Sequence, residues 1–296
     1  MLFKSICKPA VLAIGCLFLT ACNEQKAIVH IAAKPMVEQF IMAEMLGLLI
    51  EQNSDLKVDI KKGIGGGTAN IHPAMLKGEF DLYPEYTGTA WLYVLKKAPL
   101  TDDKALFDEL QQDYAKLGLQ WVGLYGFNNT FGLAVRTELA EKNQLQTFAE
   151  LAAISPQLDF GAEYDFFERE DGYKGLQKTY GFAFNQVRDL DIGLKYQALL
   201  QNQVAAINVF TTDGQLADPQ IKLLEDDKHF YPSYYAGTVI RTETLQQHPE
   251  LKAILQQLDG KISNREMAEM NAAVEIEGKD EKTVAKAFLQ RKGLLK

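Results

Sequence analysis

The chain has 296 residues, 47% of them hydrophobic and 10% aromatic, with 31 basic and 39 acidic side chains and a formal charge of −8. That length is enough for one large domain or two lobes with a sizeable core. The acidic balance argues against nucleic acid or anionic lipid headgroups as partners.

The first segment reads as an address. Lys4 and Lys8 precede an apolar run over residues 11–19, too short to span a bilayer as a permanent helix. It ends in Leu19-Thr20-Ala21-Cys22, small residues before a cysteine, which resembles the lipobox of bacterial lipoproteins. Residues 1–21 are then a lipoprotein signal peptide. Cys22 is expected to carry lipid and to tether the protein to a membrane on the periplasmic side of the cell envelope. Cys7, Cys16 and Cys22 are the only cysteines, so the remaining chain has neither a disulfide nor a cysteine metal site. Without Lys4 and Lys8 it has 29 basic and 39 acidic side chains, a charge of −10.

After a polar tether, residues 27–33 read as a buried-type strand in which Ile28, Val29 and Ile31 are β-branched. Lys34-Pro35 breaks it. Val37, Ile41, Met45 and Leu48 recur at helical spacing, which predicts an amphipathic helix over 37–52. Leu56, Val58 and Ile60 alternate as a second strand. The loop Gly63-Ile64-Gly65-Gly66-Gly67-Thr68 follows, then a helix over 69–77. The glycine loop lacks both the Gly-Lys-Ser/Thr ending of a phosphate loop and the dinucleotide spacing. It is better read as backbone packed close to a cleft. A short strand over 80–83 is expected to end at Pro84, which cannot donate to a ladder. Gly88 is expected to turn the chain sharply. This stretch, residues 81–93, displays Tyr83, Tyr86, Trp91 and Tyr93 at a strand end, where open α/β sheets bind ligands. In a parallel sheet the three loops share one rim, so Lys34, the glycine loop and Tyr86 are expected neighbours.

A helix over 102–117 and a strand over 119–125 come next. A polar hinge over 126–132 then leads into a strand over 133–136, as if the chain crossed between lobes. The β/α rhythm restarts. Strands are predicted over 158–163, 187–191, 204–210 and 222–225, with helices over 172–180 and 195–203, and Gly181 stops the first helix. Residues 231–237 lead into a strand over 238–241 that reads as the return crossing. The tail is helical. Ser263 and Glu266 have capping-box spacing, and the last helix ends near Lys292.

Lys34 with Glu38-Gln39, Gly65-Gly66-Gly67-Thr68, DLYPEYTGT, GFNNTF, FFEREDG, VFTTDG and YPSYYAG occur in an order that resembles one family. These are the substrate-binding subunits of bacterial ABC transporters for osmoprotectants: glycine betaine, choline, carnitine and proline betaine. The resemblance covers nearly all of the chain after residue 21. YPEYTGT and TTDG carry most of its specificity. It implies an α/β, bilobal type II periplasmic-binding-protein fold, two α/β lobes joined by two crossing strands, with ligand in the cleft. Lobe I is expected to comprise 27–130 plus 237–296, and lobe II 131–236.

The residue types suit such a ligand. A quaternary ammonium has no N–H to donate, and aromatic faces attract it by about 0.5–2 kcal/mol per contact once water is gone. A betaine carboxylate calls for cationic or hydroxyl donors, worth roughly 1.5–3 kcal/mol each. By family position Tyr86 is one cage ring and Thr89 a hydroxyl to the carboxylate. Lys34 and Arg169 form the cationic clamp, and Phe131, Phe210 and one of Tyr234 or Tyr235 complete the cage. Members of the family usually carry Tyr where this chain has Phe131 and Phe210, and Gly-Ser where it has Ala32-Ala33. The implied partners are a small quaternary amine and the permease and ATPase subunits of an importer, with no cofactor. Alternatives are a binding protein for another small cationic or zwitterionic metabolite, or a periplasmic sensor or adaptor on the same fold. An enzyme is not expected. His30, His72, His229 and His248 lack metal spacing, and no G-x-S-x-G nucleophile turn is present.

Overall fold

The computed structural model describes residues 27–100, 102–168, 171–191 and 194–296. The predicted signal segment, Cys22 and Arg169 lie outside them. The described strands, in chain order, are β1 (Ile28–Ala32), β2 (Lys57–Lys61), β3 (Leu82–Tyr86), β4 (Leu119–Asn128), β5 (Phe131–Arg136), β6 (Asp159–Ala162), β7 (Gln186–Asp189), β8 (Ala206–Phe210), β9 (Ile221–Leu223) and β10 (Tyr235–Arg241). They form two five-stranded sheets, ordered β2-β1-β3-β10-β4 and β7-β6-β8-β5-β9.

In the first sheet β1 runs parallel to β2 and β3, as strand–helix–strand connections require. In the second, β6 runs parallel to β7 and β8. The antiparallel strands come from the chain crossings: β10 lies between β3 and β4, and β5 between β8 and β9. Neighbouring residues alternate between the two faces of each sheet. Leu82 and Ile240 enter one apolar cluster, while Tyr83 and Val239 enter another on the opposite face. Leu133 and Val135 are likewise separated from Ala134. Each sheet is therefore covered on both faces, and the molecule is a bilobal α/β protein. No helix of the described residues is long and apolar enough to cross a membrane.

The two crossings lie side by side. Asn128 of β4 pairs with Tyr235 of β10, the Asn129 N–H donates to the Tyr234 carbonyl (3.1 Å), and the Tyr234 N–H donates to Asn128 Oδ1 (2.6 Å). The polar hinge expected over 126–132 is shorter than its composition implied. Pairing with β10 carries β4 on to Asn128, and β5 begins at Phe131.

Three local expectations are corrected. Pro84 does not end its strand; it sits inside β3 opposite Thr238. The strand tolerates it because β1 pairs with β3 only at Ile31–Leu82, leaving β3 beyond that point with β10 alone. Gly88 has an ordinary helical backbone, φ −62°. Its lack of a side chain serves proximity: a Cβ there would come within 2.7 Å of the Tyr234 ring. Helix α1 (Val37–Asn53) is not amphipathic but buried nearly all round, including Glu38, Gln39 and Glu44. Its far side is covered by the tail helices Glu250–Leu255, Asn264–Glu275 and Glu281–Arg291. The Ser263–Glu266 capping box forms as its spacing predicts.

Candidate ligand-binding site

The loops at the ends of β1, β2 and β3 meet on one rim. At the first, Pro35 stops β1, and Glu38 falls in the opening turn of α1, where unsatisfied N–H groups favour a negative charge. Glu38 is fully enclosed and accepts four side-chain hydrogen bonds. Tyr86 Oη (2.6 Å) and Asn129 Nδ2 (2.7 Å) donate to Oε1; Thr212 Oγ1 (2.6 Å) and Asn271 Nδ2 (3.2 Å) donate to Oε2. Tyr86 belongs to β3, Asn129 to the first crossing, Thr212 to the loop after β8, and Asn271 to the tail helix. One carboxylate thus joins both lobes and the crossing. Burial pushes its pKa up against the pull of the four donors. Burial and the neighbouring Glu38 also push the Tyr86 phenol well above its ordinary range, which keeps it a donor.

Lys34, the glycine loop and Tyr86 are neighbours. A Cβ on Gly67, whose φ is +50°, would touch the Lys34 side chain at 3.6 Å. The Lys34 ammonium lies 4.7 Å from the Tyr86 ring centroid and forms a buried ion pair with Glu85. Glu85 is fully buried and also accepts from Thr68 Oγ1 and the Tyr86 N–H, each at 2.7 Å. The charge of Lys34 is therefore already matched by a carboxylate within its own lobe. This partner is absent from the clamp expected on sequence grounds.

On the other lobe Phe131 and Phe210 face each other across β5 and β8, ring centroids 4.9 Å apart and 29° from parallel. Phe166 meets Phe131 edge-on at 5.3 Å. Phe210 lines a cavity of about 410 Å³ together with Glu38, Asn129, Lys195, Asp213 and Glu275. Lys195, almost wholly buried, stands 5.5 Å from the Phe210 centroid and 3.3 Å from Glu163. Asp213 accepts from Tyr196 Oη (2.6 Å) and the Phe210 N–H (3.0 Å). Burial raises its pKa too.

Thr89 and Tyr234 share a second hollow of about 300 Å³ with Thr68 and Tyr93. Thr89 begins a wide helical turn, Thr89–Val94, with hydrogen bonds spanning five residues, a form found often at functional sites. Tyr235, the first residue of β10, lines a separate hollow with Asp103 and Phe107. The structure thus brings together Lys34 with Tyr86, Phe131 with Phe210, and Thr89 with Tyr234. It sets Tyr235 apart, and Arg169 is outside the described residues.

Sequence reasoning missed Glu38, Asn129, Lys195, Thr212, Asp213, Asn271 and Glu275 as site residues. Some left a signal. Glu38 and Gln39 are polar positions in the first turn of a helix whose middle is mostly apolar, and Thr212-Asp213 follows the strongly apolar stretch 204–210.

Residues 27–291 match the family described as the substrate-binding domain of ABC-type glycine betaine transport systems. An ergothioneine transport permease/ergothioneine binding protein of Helicobacter pylori (strain G27) is 49% identical over 274 residues, covering 92% of this chain; the chain spans only 48% of that relative's length. A carnitine transport binding protein of Listeria monocytogenes is 34% identical over 284 residues, covering 93% of this chain and 92% of the relative. Among solved structures, a glycine betaine/carnitine/choline ABC transporter protein superimposes with a TM-score of 0.84 at 36% identity, covering 90% of this chain and 99% of the other. With these two lobes, this cleft and a match over almost its whole described length, the chain belongs to the family of substrate-binding domains of ABC-type glycine betaine transport systems.

Proposed function

We infer that the protein captures a trimethylammonium betaine in the cleft and delivers it to the permease and ATPase of an ABC importer. The observation that carries this reading is the stacked Phe131–Phe210 pair on one lobe, whose Phe210 shares a cavity with Glu38, the carboxylate that the Tyr86 hydroxyl of the other lobe holds. Aromatic faces attract a cation even when it has no N–H to donate. Two of the relatives are named for carnitine and for ergothioneine, both trimethylammonium betaines. In this reading Tyr86, Phe131, Phe210 and Tyr234 receive the ammonium head. The ligand carboxylate shares Lys34 with Glu85, and Thr89 and Arg169 supply further donors. The moving bodies are residues 27–130 plus 237–296 and residues 131–236.

Calorimetric titration with glycine betaine, carnitine, choline and ergothioneine tests it. Phe131→Ala or Phe210→Ala is expected to weaken every trimethylammonium ligand by about 0.5–2 kcal/mol. Replacing both by Tyr should tighten betaine binding by up to about 1 kcal/mol if each hydroxyl finds a partner. If no member of the panel binds, or if the alanine variants bind as the wild type does, the cage is not built from these rings.

The resemblance of residues 19–22 to a lipobox supports a lipid anchor at Cys22, on the extracytoplasmic side of the membrane. Cys22→Ala is then expected to abolish incorporation of labelled fatty acid and to release a folded, soluble protein. Retention of that variant in the membrane fraction would overturn the anchor.

A further inference from the structure

The cavity beside Phe210 offers hydrogen-bond acceptors that a trimethylammonium head, which has no N–H, cannot satisfy. Three carboxylates line it: Glu38, Asp213 and Glu275. The one ammonium there, Lys195, is held by Glu163. Asn129 and Asn271, 8% and 4% exposed, spend their N–H groups on Glu38, and Asn271 also donates to the Thr212 carbonyl. That leaves Oδ1 of each buried without a hydrogen-bond partner, a state native proteins seldom leave uncompensated. Glu38 and Asp213 are supplied with donors from within the protein. The Glu275 carboxylate, on the solvent-exposed rim of the cavity, accepts no hydrogen bond from the described residues. The Gln215 amide also lines the chamber, which therefore has more acceptors than donors. Its remaining walls include Phe40, Tyr196 and Phe210, which suit a flat group.

The geometry points to a second subsite here, which receives an N–H-bearing arm, heteroaromatic or amino, of the same ligand whose ammonium head lies on the aromatic rings, with Glu275 as the residue that selects for that arm. The inference rests on the betaine reading above and narrows it from short betaines to betaines that carry ring or amine N–H groups. The pKa of Glu275 agrees with an unmet need for donors: partial burial, with Asp213 and Glu38 nearby, pushes it up to about 7. A donor entering the chamber would relieve that repulsion.

The test compares ergothioneine, whose ring carries N–H groups, with glycine betaine, which has none, on the wild type, Glu275→Gln and Glu275→Ala. Glu275 lies on the rim and holds no structural hydrogen bond, so both variants should fold. Ergothioneine affinity is expected to fall about tenfold or more in Glu275→Ala, in line with loss of a hydrogen bond to a charged acceptor, and by less in Glu275→Gln, whose amide oxygen still accepts. Glycine betaine affinity should fall by clearly less, because it makes no such bond. Equal losses for both ligands, or no loss for either, overturn the subsite while leaving the aromatic reading standing. Failure of both ligands to bind the wild type overturns both.

Discussion

Glu38→Ala is expected to destabilise the protein by about 3–5 kcal/mol, read from chemical unfolding, as several buried donors lose their acceptor at about 1–3 kcal/mol each. The loss is that of a fully buried carboxylate on which four donors converge: Tyr86, Asn129, Thr212 and Asn271. Removing the acceptor leaves those donors buried and unmatched, and each then bears its own desolvation cost. Glu38→Gln keeps the shape, yet it turns an N–H₂ toward groups that are themselves donors. Its loss should be smaller, because a hydroxyl can rotate to accept whereas the Asn271 amide nitrogen cannot. The pH dependence has a definite sign. Glu38 titrates above the ordinary 4.5 in the folded protein, so its contribution is fullest below that value and is lost as pH rises through the folded pKa. The Gln variant should not show that component. Since the donors come from both lobes and the crossing, ligand affinity should fall alongside stability. An alanine variant that unfolds within about 1 kcal/mol of the wild type would show that the carboxylate does not hold the lobes together.

Lys34→Ala should have a comparable effect for a different reason. It strands the Glu85 carboxylate, fully buried, with only Thr68 and a backbone N–H to compensate it. Breaking a buried pair from one side costs roughly 3–5 kcal/mol. Combining Lys34→Met with Glu85→Gln removes both charges and should recover much of that loss, so the cycle isolates the pair. Binding carries separate information. If Lys34 also meets the ligand carboxylate, the single variant should weaken glycine betaine more than choline, which has no carboxylate. Equal weakening of the two would leave Lys34 a purely structural partner of Glu85.

The chain's order of strands and helices was legible because each element announces itself over a few residues. β-branched runs mark β1 and β8, and apolar spacing marks α1. What local sequence could not convey was which side of an element would be covered. α1 reads as amphipathic because its polar residues are visible and the tail helices that enclose it are some 200 residues away. Pro84 reads as a stop because nothing nearby reveals that β1 withdraws from β3 after Leu82. The short helices Thr137–Asn143 and Phe148–Ile154 went unforeseen, being too brief for apolar periodicity. The second still carried a signal in Thr147 and Glu150, which form a capping box. The site divides the same way. Tyr86, Thr89, Phe131 and Phe210 sit in motifs that can be read directly. The Glu38 network is assembled from positions 38, 86, 129, 212 and 271, and the Lys34–Glu85 pair spans 51 residues. Only the folded chain makes these sets visible.

The position of β10 has a further consequence, for the order in which the molecule can be built. All five strands of the second sheet lie between residues 131 and 223, so that sheet can close as soon as this continuous stretch is available. The first sheet cannot. Its strand between β3 and β4 comes from residues 235–241, and the helices that roof α1 come later still. Until they arrive, β3 and β4 have no partner between them, and one flank of α1 is exposed. A chain emerging from its N-terminus therefore finishes its inserted half first and holds the half it began with open to the end.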